Sequence, residues 1–181
     1  MNMVPYAARL EAGARPLPSA GDTASALIQA ATTLAALLAQ GRAVDARALR
    51  TAMEDAFGAS DSAGAWVWKD AYEGGEAAQV LFLRRYGSAM RAKAGAPAAM
   101  LAMLARVAAL LPTQTRRSEE SQALQQFSTP LPLGFVASVA AGLTPTDVVL
   151  EPSAGTGLLA IFAELAGATL ALNELDRKSV V

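Results

Sequence analysis

The 181-residue chain contains neither cysteine nor histidine. Without cysteine there are no disulfides and no thiolate metal sites; without histidine the commonest metal ligand and general base is missing as well. Zinc chemistry and hydrolytic triads built on either residue are excluded. The N-terminus, Met1-Asn2-Met3-Val4-Pro5-Tyr6, lacks the basic-then-apolar order of a secretion signal. The uncharged stretch from Thr23 to Gln40 is alanine-rich and interrupted by Gln29, Thr32 and Thr33, which falls short of the roughly 20 strongly apolar residues of a bilayer span. A cytoplasmic protein without membrane contact is expected. Basic residues are also scarce over a long stretch: between Ser118 and Asp176 there is no Lys or Arg, while seven acids (Glu119, Glu120, Asp147, Glu151, Glu164, Glu174, Asp176) give a formal charge of −7.

What is present is apolar and asymmetric. Hydrophobic residues make up 53% of the chain and charged ones 17%, enough for a packed core in one or two domains. Residues 1 to 117 hold 13 Lys/Arg against 9 Asp/Glu, a net +4, whereas 118 to 181 hold 2 against 7, a net −5. Two functional units are expected, and the small basic surplus of the first makes DNA contact there a minor possibility beside a solvated helical surface.

Residues 1 to about 20, rich in proline and glycine, read as a mobile leader. Helices follow. Leu27, Ala31, Leu34 and Leu38 share one helix face that Gly41 ends, and Asp45 is placed to cap a second helix through Phe57. A third, starting at Asp61 or Ser62, is expected to carry Trp66, Trp68 and Tyr72 into a core until Gly74-Gly75 interrupts it. A fourth runs from Glu76 to about Lys93, with Val80, Leu83, Gly87 and Met90 inward and Arg84, Arg85 and Arg91 outward. Pro97 opens a fifth, with Met100, Leu101, Leu104, Val107, Ala108 and Leu111 forming its apolar stripe.

The most informative segment is Glu151-Pro152-Ser153-Ala154-Gly155-Thr156-Gly157. It follows the apolar strand Val148-Val149-Leu150 and precedes an apolar helix expected from Leu158 to Phe162. A strand that ends at a carboxylate and turns through two glycines brings bare backbone close to a ligand at a helix start. Gly155-x-Gly157-x-x-Ala160 also fits a loose dinucleotide fingerprint, with Glu174 near the ribose-binding position. The charge of Glu151 separates the two ligand classes. A carboxylate about 4 Å from a pyrophosphate is opposed by roughly 4 kcal/mol at an effective dielectric near 20. S-adenosylmethionine carries an ammonium and a sulfonium and no phosphate, so an acidic strand end suits it. A purely structural turn and a dinucleotide-dependent oxidoreductase stay open as alternatives.

Upstream, Gln125-Gln126-Phe127-Ser128-Thr129-Pro130 leads into a helix that directs Phe135, Val136, Val139 and Ala140 toward a core. Taken alone, Ser128 or Thr129 reads as its cap. The order then continues: a Gly142-Leu143-Thr144-Pro145 turn, strand 147 to 150, the glycine turn, a helix, and strand Thr169 to Leu172 ending at Asn173-Glu174.

That order resembles the opening of class I S-adenosylmethionine-dependent methyltransferases of the DNA adenine-amino type. The resemblance implies that Phe127-Ser128-Thr129-Pro130 and Glu151 to Gly157 hold the methionine part of the cofactor and that Glu174, beside Asn173, accepts the ribose hydroxyls. Trp68-Lys69-Asp70-Ala71-Tyr72, Ala78-Gln79-Val80-Leu81-Phe82-Leu83 and Arg116-Arg117-Ser118-Glu119-Glu120-Ser121-Gln122 look like the N-terminal region of bacterial strawberry notch-like methylase/helicase proteins. Members of that family continue into a complete methyltransferase and a helicase-like NTPase, which implies a DNA-directed role. The expected architecture is a mostly α domain over 21 to 117, then over 118 to 175 the start of a Rossmann-like methyltransferase sheet with its first two strands only. No catalytic residue is assigned, because the family's loop for the target amine has no counterpart in this chain. Asp176-Arg177-Lys178-Ser179-Val180-Val181 matches the translation of a common sequencing adapter and reads as a non-native tail. The chain is thus expected to be a fragment with part of a cofactor site, or alternatively a helical DNA- or partner-binding adaptor.

Overall fold

A computed structural model describes residues 20–113 and 128–174. The expected leader, Phe127, the Arg116 to Gln122 motif and the C-terminal tail lie outside the described residues. In chain order the elements are α1 (Ala20–Ala39), α2 (Ala46–Phe57), a 3-10 turn (Asp61–Ala63), α3 (Trp68–Ala94), α4 (Pro97–Ala108), α5 (Leu131–Ala141), β1 (Val148–Glu151), α6 (Ile161–Ala166) and β2 (Thr169–Leu172). The protein is mostly helical, with one two-stranded parallel sheet in which Val148 pairs with Thr169 and Glu151 with Leu172.

Local signals account for most of these boundaries. The α1 face predicted from spacing is buried: Leu27, Ala31, Leu34 and Leu38 are all at most 4% exposed. By length and composition α1 is also apolar enough to cross a membrane, contrary to the expectation for Thr23–Gln40, and a third of the relevant window lies inside the protein. The Asp45 carboxylate accepts the Ala48 N–H at 2.8 Å, capping α2, and Gly58 closes that helix in the left-handed conformation. Pro97 occupies the first turn of α4, where a missing N–H costs nothing.

The central helix departs from expectation. α3 runs unbroken from Trp68 to Ala94, straight through Gly74-Gly75. Both glycines are buried where neighbouring helices crowd α3: a Cβ on Gly74 would meet Met53 Sδ at 3.6 Å and one on Gly75 would meet Leu111 Cδ2 at 3.4 Å. Packing of α1, α2 and the end of α4 against this helix outweighs the roughly 1 kcal/mol per residue that glycine costs a helix interior. Because the contacts at Gly74 are ordinary van der Waals distances, Gly74→Ala should stabilise the protein by about 0.5–1 kcal/mol, measurable by chemical denaturation. A loss of stability would mean that α3 needs the missing side chain for its approach to α1 and α2.

The start of α3 is also later than the sequence suggests. Asp61–Ala63 forms only a 3-10 turn, Gly64 reverses the chain, and Asp70 holds the helix start by accepting the Val67 N–H at 2.9 Å. Trp66 therefore precedes the helix instead of belonging to it. The aromatic cluster still packs as core: Trp66 is buried, meets Trp68 edge-on at 5.7 Å, and donates its indole N–H to the Ala59 carbonyl.

α5 turns a narrower face inward than expected. Leu131, Gly134 and Phe135 are buried, whereas Val136 and Val139 are each 46% exposed, on a side that no described residue covers. The hydrophobic core nonetheless runs without a break from α1 through α3 and α4 to Leu131, Phe135, Leu158, Ile161 and Phe162. α6 rests against α3, where the Arg84 guanidinium pairs with the Glu164 carboxylate at 3.0 Å and Arg91 donates to the Leu165 carbonyl at 3.3 Å. These arginines, read from sequence as an outward face, help dock the sheet-bearing part onto the helices.

Candidate functional site

The two strand ends and the glycine turn form one latched unit. The Asn173 N–H donates to the Glu151 carbonyl, the Ala154 N–H donates to the Asn173 carbonyl, both at 2.9 Å, and the Asn173 side-chain amide donates to the Pro152 carbonyl at 3.0 Å. Parallel pairing of β1 with β2 creates this arrangement, because it brings the residues just past both strands to the same edge. Glu151 folds back on its own turn, accepting the Ser153 N–H at 3.1 Å. Glu174 accepts the Gly155 N–H at 2.7 Å.

Gly155 and Gly157 both have positive φ, +51° and +86°. A Cβ on Gly155 would point into open space, so a ligand could approach its backbone directly. A Cβ on Gly157 would meet, among the described residues, only Val80 Cγ2 at 4.0 Å, so substitution there is opposed by the backbone conformation and not by crowding. Gly157→Ala is accordingly expected to cost about 1–2 kcal/mol in a denaturation experiment. A neutral result would show that the turn relaxes to a different conformation. The turn hands over to a regular helix only at Ile161, three residues later than the sequence suggests. The six residues of α6 therefore supply little of the helix-end field that a phosphate would use.

The remaining expected site residues serve a different purpose. Neither Ser128 nor Thr129 caps α5; the position before that helix is Pro130, with no side-chain cap bond. The Ser128 hydroxyl instead donates to Glu76 Oε2 at 2.6 Å, and the Thr156 hydroxyl donates to the same oxygen at 3.1 Å. One carboxylate from α3 thus joins the segment before α5 to the glycine turn. Glu76 is buried, and burial pushes its carboxyl up to about 7 despite the two hydroxyl donors that favour its ionised form; Glu73 adds to the rise and Lys69 opposes it. Sequence reasoning missed this residue. The available signal is a polar pair, Glu76 and Gln79, one turn apart in the otherwise apolar run Glu76 to Leu83.

Beside this junction lies a cavity of about 310 Å³, bounded on one side by α3 and the end of α4, and on the other by Ser128–Leu131 and Leu158. Thr129 and Pro130 line it, whereas Glu151 and Asn173-Glu174 do not. The expected site residues therefore fall into two groups. Glu151 to Gly157 with Asn173 and Glu174 form the latched turn; Ser128, Thr129 and Pro130 border the chamber, and Glu76 connects the groups.

The latched turn fits the group that the sequence resemblance implies: two carboxylates flank an open backbone with no Lys or Arg between 128 and 174, and the two arginines that reach α6 engage Glu164 and Leu165 instead. Comparison of the chain with models of protein families, with curated proteins and with solved structures finds no match.

Proposed function

We propose that this chain carries part of the cofactor site of a DNA-directed, S-adenosylmethionine-dependent methyltransferase of the adenine-amino type, related to strawberry notch-like methylase/helicase proteins. The observation that carries the reading is the pair of carboxylates at the ends of adjacent parallel strands, Glu151 and Glu174, on either side of the open Gly155 turn. Glu151 would meet the cofactor's ammonium and Glu174 its ribose hydroxyls, with the backbone at Gly155 passing close to the methionine part. When bound, the cofactor supplies an electrophilic methyl group. This chain's own residues bind and orient it, and none of them is assigned to the transfer step. DNA and a helicase-like NTPase enter only as partners in a longer protein.

The exposed apolar surface of the sheet supports a larger assembly of this kind. Val148 is 74% exposed, Leu150 69% and Leu172 41%. A wider, Rossmann-like parallel sheet with helices over both faces would bury them. A sheet supported on one side only holds a ligand loosely.

The test is a titration of the isotopically labelled protein with S-adenosylmethionine and, separately, with NAD, read at the amides of Gly155, Thr156 and Gly157. S-adenosylmethionine should shift these amides with weak but saturable affinity. Glu151→Ala should lower that affinity roughly tenfold or more, the range expected for one charge-assisted hydrogen bond. If NAD moves these amides and S-adenosylmethionine leaves them in place, the methyl-donor reading fails and the dinucleotide alternative takes its place.

A further inference from the structure

The second half of α3 carries positive charge that the latched turn does not use. Between Ala77 and Thr113 there are five bases (Arg84, Arg85, Arg91, Lys93, Arg106) and no Asp or Glu. Four of them fall on α3 within a stretch of about 14 Å, and all four are exposed. Ser88, Ala89 and Ala92, which lie between them on the same side, are exposed too and have short side chains, so another surface can approach the helix closely. Arg84 is neutralised by Glu164, whereas Arg91 donates to the uncharged Leu165 carbonyl and keeps its charge. The Arg85 guanidinium lies over the Tyr86 ring at 5.3 Å, and neither Arg85 nor Lys93 has an ion-pair partner among the described residues.

We propose that this face of α3 docks the phosphate backbone of duplex DNA through Arg85, Arg91 and Lys93. Charge complementarity selects a polyanion. Duplex DNA carries one negative charge per about 1.7 Å of its axis, so three cations spread along the helix meet phosphates in any register. A single strand is held largely by stacking its bases on aromatic rings, and this face offers none: Tyr86 is half-buried with Arg85 over it. Backbone contacts of this kind position a duplex and carry no sequence information. The face supplies a DNA contact for the function proposed above, yet it rests on α3 and its charges alone. Cofactor binding at the turn can therefore fail while this surface holds, and the reverse.

The test is a titration of the isotopically labelled full chain with a short mixed-sequence DNA duplex, with one of its single strands and with poly-glutamate, between about 50 and 200 mM salt. The duplex should shift the amides of Arg85, Ser88, Ala89 and Ala92 saturably and bind more tightly than either other probe. The logarithm of its affinity should fall against that of salt with a slope of about −3, the value for three phosphate contacts. Arg85→Gln combined with Lys93→Gln should flatten the slope by about 2 and weaken duplex binding roughly tenfold or more at the lower salt, with the thermal midpoint little changed because both side chains are exposed. The matched charge loss is Arg42→Gln combined with Arg47→Gln. These exposed residues lie just before and on α2, whose Leu49 meets α3 at Gly75, about 15 Å along the helix from Arg85, and their removal should leave slope and shifts in place. An equal loss in both double variants would overturn the proposal by reducing the effect to overall charge. Poly-glutamate or the single strand binding as tightly as the duplex, shifts centred away from α3, or no duplex binding at about 50 mM salt would overturn it as well. If the Arg85 and Lys93 variant does not fold, the probe comparison and the salt slope of the parent chain decide by themselves.

Discussion

Replacing Glu76 with glutamine should stabilise the protein at pH 8 by about 3 kcal/mol and leave its stability below pH 4 nearly unchanged. The sign follows from which state holds the proton more tightly. The folded chain keeps the Glu76 carboxyl protonated up to about 7, whereas the unfolded chain releases that proton near the ordinary value of 4.5. Between those values the folded state binds more protons than the unfolded one, so stability falls as pH rises. The contribution is fully present below 4.5 and is lost by the time the pH has passed about 7. Glutamine cannot ionise, yet its amide oxygen can still accept the Ser128 and Thr156 hydroxyls, so the variant keeps the junction and loses the titration. Other carboxylates titrate in both proteins and cancel in the difference. Denaturant unfolding of the two proteins across this range is the measurement. If glutamine lowers stability at pH 8, the ionised carboxylate is worth more to the junction than its burial costs, and desolvation does not govern Glu76.

Removing the Phe162 ring should have an effect of similar size and opposite sign. Phe162→Ala is expected to cost about 3–5 kcal/mol, the usual penalty for emptying a buried aromatic site. Phe162 is 4% exposed and stacks obliquely against Phe135, with ring centroids 5.6 Å apart. A Cβ on Gly134 would come within 3.1 Å of the Phe162 ring and 3.0 Å of the Leu158 carbonyl, so α5 approaches this ring as closely as glycine allows. The neighbours are held by their own helices and cannot collapse fully into the space. Loss of the ring also removes the seat of α6, from which the Gly155–Gly157 turn is suspended through the Ile161 N–H bond to the Gly157 carbonyl. Faster amide hydrogen exchange at Gly157 should accompany the fall in unfolding free energy. A cost below about 1 kcal/mol would show that the docking of α6 rests on Arg84 and Arg91 more than on the aromatic pair.

Several features were legible from the residues because their causes are local. The α1 face, the Asp45 cap, Pro97 in the first turn of α4, both strands and the two positive-φ glycines each follow from spacing or from the conformational limits of one residue. The placing of Asn173-Glu174 beside the glycine turn was equally readable, since strands joined by a short helix pair in parallel and bring their ends to one edge.

Three features depended on contacts distant in the chain. Gly74-Gly75 reads as a break, yet α3 passes through it because Met53 and Leu111 fill the room that absent side chains leave. Ser128 reads as a helix cap, yet its hydroxyl turns to an acid 52 positions away. Glu76 stands out locally only as half of a polar pair in an apolar run, and nothing near it in sequence points to Thr156, 80 positions away. Local rules decide which helices and turns the chain can form. Only the burial of α3 against everything else decided that one carboxylate, lifted out of water, would become the link between the helical core and the turn.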